Sequence, residues 1–171
     1  MKRLLFISFV FSLFLLIVFS ACNSTDSNDS ESAYVDLGLS VKWATMNVGA
    51  DVPDGYGDFY DYDEAVSRFG NNLPTKEQLQ ELEDKCTWKW ATRNEVNGWE
   101  VTGPNGKSIF LPAAGLRLCF GLVRYVGTRG TYWSSTPYDS DNACYLYFNA
   151  SEVDMYDYDR CFGRSVRLVQ N

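Results

Sequence analysis

The stretch from Thr131 to Gln170 constrains this chain more than any other. Its strand-length segments alternate aromatic or polar residues with a sparse apolar set, the period of two that one buried face imposes on a β-strand. Ala143, Leu146, Phe148, Val153, Met155, Val166, Leu168 and Val169 form the inward set. Tyr138, Asp139, Asp141, Asn142, Cys144, Tyr145, Tyr147, Asn149, Tyr156, Asp157, Tyr158, Asp159, Cys161 and Phe162 form an outward set, and Arg164 joins them as a ligand-facing residue. Outward Tyr with Asp, Asn and Ser is the composition of a binding surface. Tyr gives broad amphipathic contact at low entropic cost, and the small polar groups supply adaptable hydrogen bonds.

The vocabulary of this stretch is narrow: Lys stops at Lys107, and Gln is absent between Gln80 and Gln170. Every residue of the outward set is reachable from an Asn codon by changing its first two bases, whereas Lys, Gln, Glu, Met and Trp are not. The residues that break the pattern, Trp133, Glu152 and Met155, sit among the positions read as fixed. The segment from about 117 to 164 therefore resembles the variable region of a diversity-generating retroelement target, in which template adenines are randomised. Leu118 to Arg124 resembles a second such patch. The alternative is a Tyr- and Asp-rich surface of fixed sequence.

At the other end, Lys2 and Arg3 precede an apolar run from Leu4 to Phe19, followed by Ser20, Ala21 and Cys22. The run is short for a spanning helix, which needs about 20 apolar residues, and its flanks fit an export signal. Residues 1–21 read as a lipoprotein signal peptide and Cys22 as the lipidation site, with ordinary secretion or an uncleaved anchor as alternatives. Residues 22–32 hold several acids and nothing to bury, which predicts a solvated tether. An acidic stretch after the lipid cysteine also resembles the surface-export signal of Bacteroidetes lipoproteins, implying an outer-membrane protein exposed at the cell surface. The full chain carries 15 basic and 22 acidic residues, a net −7. Without Lys2 and Arg3 the balance is 13 − 22 = −9, which argues against nucleic acid as a partner.

Residues 33–171 are the size of one domain with one core. Val35, Leu37, Leu39, Val41 and Trp43 alternate with polar residues or glycine, predicting a half-buried strand. DVPDGYGDFYDYDEA, Asp51 to Ala65, reads as a solvated turn-rich loop. Leu73 to Cys86 reads as a helix packed on a sheet, with Thr75 and Gln78 as a capping box. Trp88 and Trp90 are apolar anchors, and Trp99 to Leu111 suggests a hairpin about Gly103 to Gly106.

In combination, YVDLGLSVKWATMNVGA, LPTKEQLQEL, GPNGKSIFLPAAG, YVGTRGTYWSST and GRSVRLV resemble the Fibrobacter succinogenes major paralogous domain family of Bacteroidetes lipoproteins. LPTKEQLQEL and the ending also resemble the LPTEAEWE-type helix and GFRLV-type ending of the formylglycine-generating enzyme family. Both resemblances imply an α+β, C-type lectin-like fold, with a mixed or antiparallel sheet, paired terminal strands and at least one packed helix. They would set Tyr34 to Val41 beside Ser165 to Val169 and make the outward residues of 138–164 the binding face.

Catalysis has little to draw on. The chain has no His, the usual general base and commonest metal ligand. Formylglycine-generating enzymes hold copper with paired cysteines, and Cys86, Cys119, Cys144 and Cys161 show no close spacing. Four cysteines outside the cytoplasm allow three pairings, none of which the sequence selects. Asp139, Asp141, Asp154, Asp157 and Asp159 offer oxygen ligands to calcium, but the EPN and WND signatures of calcium-dependent lectins are missing. No cofactor or metal is expected. The sequence thus points to a non-catalytic, lipid-anchored binding module for a protein or glycan ligand. A fixed adhesin or carbohydrate-binding module is the alternative, and an enzyme of the formylglycine-generating type the remaining one.

Overall fold

The computed structural model describes residues 33–171. The expected signal peptide of residues 1–21, the expected tether and the expected lipidation site Cys22 lie outside the described residues. Within them the architecture is α+β, with antiparallel sheets predominating and two short helices. No described helix is long and apolar enough to cross a membrane.

The terminal sheet departs from expectation. Strand β1, Tyr34–Asp36, stops after three residues, and β2, Lys42–Ala44, begins only after a loop. The break is local chemistry: Gly38 takes φ +78°, and its N–H donates to the Asp36 carboxylate at 2.7 Å. The loop still drops Leu37 fully into the core. Strand β11, Val169–Gln170, pairs with β2 rather than β1, giving the order β1-β2-β11. The N-terminal segment thus meets the C-terminus through Lys42–Ala44, and Tyr34 to Val41 is not the partner.

The segment from Asp51 to Ala65 is not a solvated loop throughout. Tyr60, Tyr62 and Ala65 are buried, and helix α1, Tyr62–Phe69, starts there with the Asp61 side chain accepting from Glu64 N–H. Two Tyr that read as loop polarity are core residues. Tyr62 donates its hydroxyl to Ser135 O at 2.7 Å and sets its ring edge-on to Trp133, satisfying the one polar group that burial would otherwise penalise.

Helix α2, Lys76–Lys85, has the predicted capping box between Thr75 and Gln78. Its Leu79 and Leu82 are fully buried. Strands β3, Thr87–Arg93, β4, Val96–Thr102, and β5, Ser108–Pro112, form an antiparallel sheet in chain order. The β4–β5 hairpin turns at Gly103–Gly106 as predicted, with Val101 opposite Ile109. Glycine is required at 103, where a Cβ would lie 2.1 Å from Leu37 O.

A small hairpin, β6 Leu116–Arg117 and β7 Val123–Arg124, leads into β8 Gly130–Pro137, β9 Asn142–Phe148 and β10 Val153–Asp159. These last three form a sheet in the order β10-β9-β8. One face carries Tyr132, Leu146 and Phe148 into the main core with Leu79, Leu82 and Leu111. The other face is partly covered as well: Trp133 and Ala143 join Tyr60, Tyr62, Leu73 and Val166 in a second cluster, against which Tyr145 packs. The chain then returns along 163–168, where backbone bonds tie it to four other segments: Arg117 with Gly163, Tyr60 with Arg164, Trp133 with Ser165, and Val48 with Val166.

Candidate functional site

Strand register decides which side chains share a face. Successive side chains of a strand point to opposite sides of the sheet. Tyr145 stands opposite Tyr156, Tyr147 opposite Asp154 and Ala143 opposite Tyr158 on β9 and β10, while Thr131 and Trp133 stand opposite Tyr147 and Tyr145 on β8. Tyr145, Tyr147, Tyr156 and Tyr158 therefore project from one side of one sheet. Their rings touch: Tyr147 meets Tyr156 edge-on at 5.6 Å, and Tyr145 lies 6.3 Å from Tyr156.

Two adjoining clefts open among these rings. The inner one, of about 180 Å³, is bordered by Tyr145, Tyr147, Tyr158, Phe162, Arg129 and Arg164. The outer one, of about 270 Å³, is bordered by Tyr145, Tyr147, Tyr156, Arg129 and Glu152. Arg129, Tyr145 and Tyr147 belong to both and form the divide between them.

The arginine in the inner cleft is unusual. Arg164 is 2% exposed, with its guanidinium carbon 3.4 Å from the Tyr145 ring centroid, 4.6 Å from Trp133 and 5.9 Å from Phe162. Its Nε and Nη1 are buried without hydrogen-bond partners, and it takes part in no ion pair among the described residues. Burial pulls its pKa down to about 10, so it stays charged at neutral pH. Stacked rings offset part of the cost of burying that charge. Arg167, three residues on, shows the contrast. It donates to Asn47 Oδ1 at 2.9 Å, Ala44 O at 3.0 Å and Phe110 O at 2.7 Å, and is a satisfied structural cation.

The outer cleft has a different character. Glu152 accepts from the Tyr156 hydroxyl at 2.8 Å and from Asn149 Nδ2 at 3.2 Å. That carboxylate pushes the Tyr156 hydroxyl up to about 12. Asn149 Nδ2 also donates to the Tyr147 hydroxyl at 3.1 Å.

The remaining predicted residues lie elsewhere. Tyr138, Asp139, Asp141 and Asn142 lie at the β8–β9 turn, where the Asp139 carboxylate accepts from Asn142 Nδ2 and from the Asn142 and Asp141 N–H groups, and these bonds, the Asn142 side chain's first, hold its carboxyl below the usual range. Tyr138 is 63% exposed. Asp157 and Asp159 pair with Cys144 and Asn142 on the opposite side of the sheet from the four Tyr. Cys144 is a correction: it is buried, because it shares its face with Leu146 and Phe148. Arg164, buried beneath Tyr145, is likewise not outward. Cys161 is exposed, in keeping with the outward set, but its thiol is not free. It is disulfide-bonded to Cys119, 42 residues away, with a Cα separation of 5.0 Å.

That bridge fastens the loop after β10 to the β6–β7 hairpin. Phe120, Leu122, Val123, Tyr125 and Val126 of the hairpin region are all exposed, and Arg129 lies over the Tyr125 ring at 3.9 Å. Cys119 and Cys161, with Asp159, form the one metal-competent group among the described residues, and both sulfurs are engaged in the bridge. Cys86 and Cys144 are free thiols.

Sequence reasoning missed Arg129 and Glu152. Glu152 was legible only as a break in the codon pattern, and Arg129 carried no signal because it precedes β8 rather than belonging to the Tyr-rich strands. No curated protein and no solved structure matches the chain. Residues 72–169, which span α2 through Val169 of β11 and hold both clefts, match the model of a domain of unknown function, DUF8237, and the chain belongs to that family.

Proposed function

We propose that this protein is a non-catalytic binding module that captures a surface ligand on the side of the β8–β9–β10 sheet bearing Tyr145, Tyr147, Tyr156 and Tyr158. The observation that carries the reading is the convergence of these four rings with Phe162, Arg129 and Glu152 around two adjoining clefts. Large amphipathic rings with a few charged groups make the kind of anchor cluster that dominates binding energy. The scaffold is of the C-type lectin-like kind, held at the outer membrane and cell surface by lipid on Cys22. The ligand is a protein or glycan, and nucleic acid is disfavoured by the net charge of −7.

The face is also diversified by a retroelement, and the burial pattern narrows where this is tolerated. Tyr138, Asp139, Asp141, Tyr156, Asp157 and Tyr158 are exposed, so changes there cost the fold little. Cys144, Arg164 and the bridged Cys161 are structural and belong to the constant set.

Two measurements test this. Full-length protein carrying Tyr147→Ala, Tyr156→Ala and Tyr158→Ala is screened with wild type on an array of glycans and surface proteins. Loss of every wild-type hit, with unchanged thermal unfolding, is the expected result, and retained binding overturns the face assignment. Sequencing the gene and its flanks across one lineage tests diversification. Differences confined to positions where a nearby template copy has adenine support it, and invariant codons with no template overturn it.

A further inference from the structure

Resting on the binding face just described, we infer that the inner cleft is an oxyanion subsite and that the two clefts together take an acidic saccharide, its carboxylate on Arg164 and Arg129 and a neutral sugar beside Glu152.

The starting point is an unbalanced charge. A buried guanidinium needs hydrogen-bond acceptors as well as charge compensation. Arg167 has three acceptors, whereas Arg164 has rings around it and two unpartnered nitrogens. The ring faces compensate charge and the Tyr145 hydroxyl adds a hydrogen bond, but Nε and Nη1 are left without acceptors. A carboxylate does both, because its two oxygens match the planar fork of a guanidinium.

The surroundings reinforce this. Arg129 borders the same cleft. In a chain of net charge −7, two arginines border one cleft. No carboxylate borders that cleft. The nearest acids of this face are Glu152, on the outer cleft, and Asp154, opposite Tyr147. They accept hydroxyls but repel a second anion, so the outer cleft suits a neutral, hydroxyl-rich residue. The Tyr rings dividing the clefts offer flat surfaces to the C–H faces of sugars. A peptide ending in a free carboxylate would satisfy the arginines alone and bring no sugar hydroxyls to Glu152, whose donors within the protein are the Tyr156 hydroxyl and Asn149 Nδ2.

The probes are glucuronate, glucose and acetate, added to full-length, detergent-solubilised protein labelled with ¹⁵N-arginine. The reading is the Nε–H resonances of Arg164 and Arg129. Glucuronate moves both saturably, glucose moves neither, and acetate binds at least tenfold more weakly than glucuronate. Arg129→Ala weakens glucuronate roughly tenfold to a hundredfold, the loss typical of a charge-assisted hydrogen bond. Arg164→Lys, which keeps the charge and removes the planar fork, weakens it similarly while the protein stays folded. A glucuronosyl-hexose disaccharide binds more tightly than glucuronate, and Glu152→Gln removes that gain only.

Arg164 and Arg129 resonances unmoved by glucuronate overturn the inference. Equal response to acetate and glucuronate, or tighter binding of a peptide carboxylate, overturns the saccharide assignment. If the Tyr variants abolish binding of a neutral ligand while glucuronate has no effect, the binding face stands and the anion subsite falls. If glucuronate moves Arg164 but the Tyr variants lose no ligand, the subsite stands and the wider face falls.

Discussion

Four Tyr project from one side of the sheet, but they differ in stability cost, and Tyr145→Ala separates them. Tyr145 is half-buried, packs against Trp133 edge-on at 5.9 Å and covers Arg164 at 3.4 Å. Deleting a fully buried aromatic side chain costs about 3–5 kcal/mol. Partial exposure lowers that, and loss of a desolvated cation–π contact, about 2 kcal/mol, raises it again. The two overlap, so the net expectation is about 3 kcal/mol. For a domain of this size, each kcal/mol moves the melting temperature by about 3–4 °C, giving a fall of about 10 °C. Tyr158 is 53% exposed, and Tyr158→Ala costs below about 1 kcal/mol. Tyr145→Phe, which keeps the ring, stays within about 1 kcal/mol of wild type. Thermal and urea unfolding followed by near-ultraviolet circular dichroism reads all three. If Tyr145→Ala costs as little as Tyr158→Ala, the ring is not part of the second core and the account of Arg164 resting beneath it is wrong.

Three further outcomes are expected. Reducing the Cys119–Cys161 bridge, or replacing both cysteines by Ser, lowers stability by up to about 4 kcal/mol through the entropy of the released loop; a urea midpoint unchanged by reductant would contradict this. Arg167→Met strands three buried acceptors on Asn47, Ala44 and Phe110 and costs about 3–5 kcal/mol, measured by urea unfolding, with a cost under about 1 kcal/mol refuting the clamp. The Glu81 carboxyl is raised by burial but lowered further by Lys85 and by both bonds from Ser40, so its folded pKa lies below the ordinary 4.5. Its stabilising contribution is present above about pH 4.5 and lost as pH falls through the folded value, so Glu81→Gln flattens the acid limb of a stability profile taken from pH 6 to 3, and an unchanged limb counts against it.

Local chemistry was legible in the sequence wherever one strand or one helix decided the outcome. The Thr75–Gln78 capping box, the β4–β5 hairpin and the common side of Tyr145, Tyr147, Tyr156 and Tyr158 follow from short spacings. Strict alternation would also have buried Cys144, since it shares parity with Leu146 and Phe148. Taking Ala143 as the inward residue places Cys144 outward instead. The assumption that failed was a single buried face. Val166, Trp133 and Ala143 close a second core on the supposed solvent side, so Ala143 and Cys144 are both inside. Arg164 was unreadable for a different reason. Its burial depends on reciprocal backbone bonds with Tyr60, over a hundred residues earlier, in a segment that composition marks as loop. The Cys119–Cys161 bridge likewise requires a two-residue-strand hairpin with no periodic signal of its own.

The same long-range bonds explain why an unpaired cation suits the proposed anion subsite. Backbone bonds from Tyr60 fix Arg164 on both its N–H and its C=O, and rings from Tyr145, Trp133 and Phe162 surround its guanidinium. A flexible surface arginine would lose rotamer freedom on meeting an anion, and part of the binding energy would offset that loss. Arg164 has already lost that freedom in folding. Its desolvation cost has likewise been met by the free protein, at the expense of stability, so an arriving carboxylate gains hydrogen bonds without removing this cation from water. Arg129 is half-buried on the divide between the clefts. The face thus combines a rigid charged floor, set by contacts far away in sequence, with exposed Tyr on β10 that the fold does not depend on. Specificity can change in the second without disturbing the first.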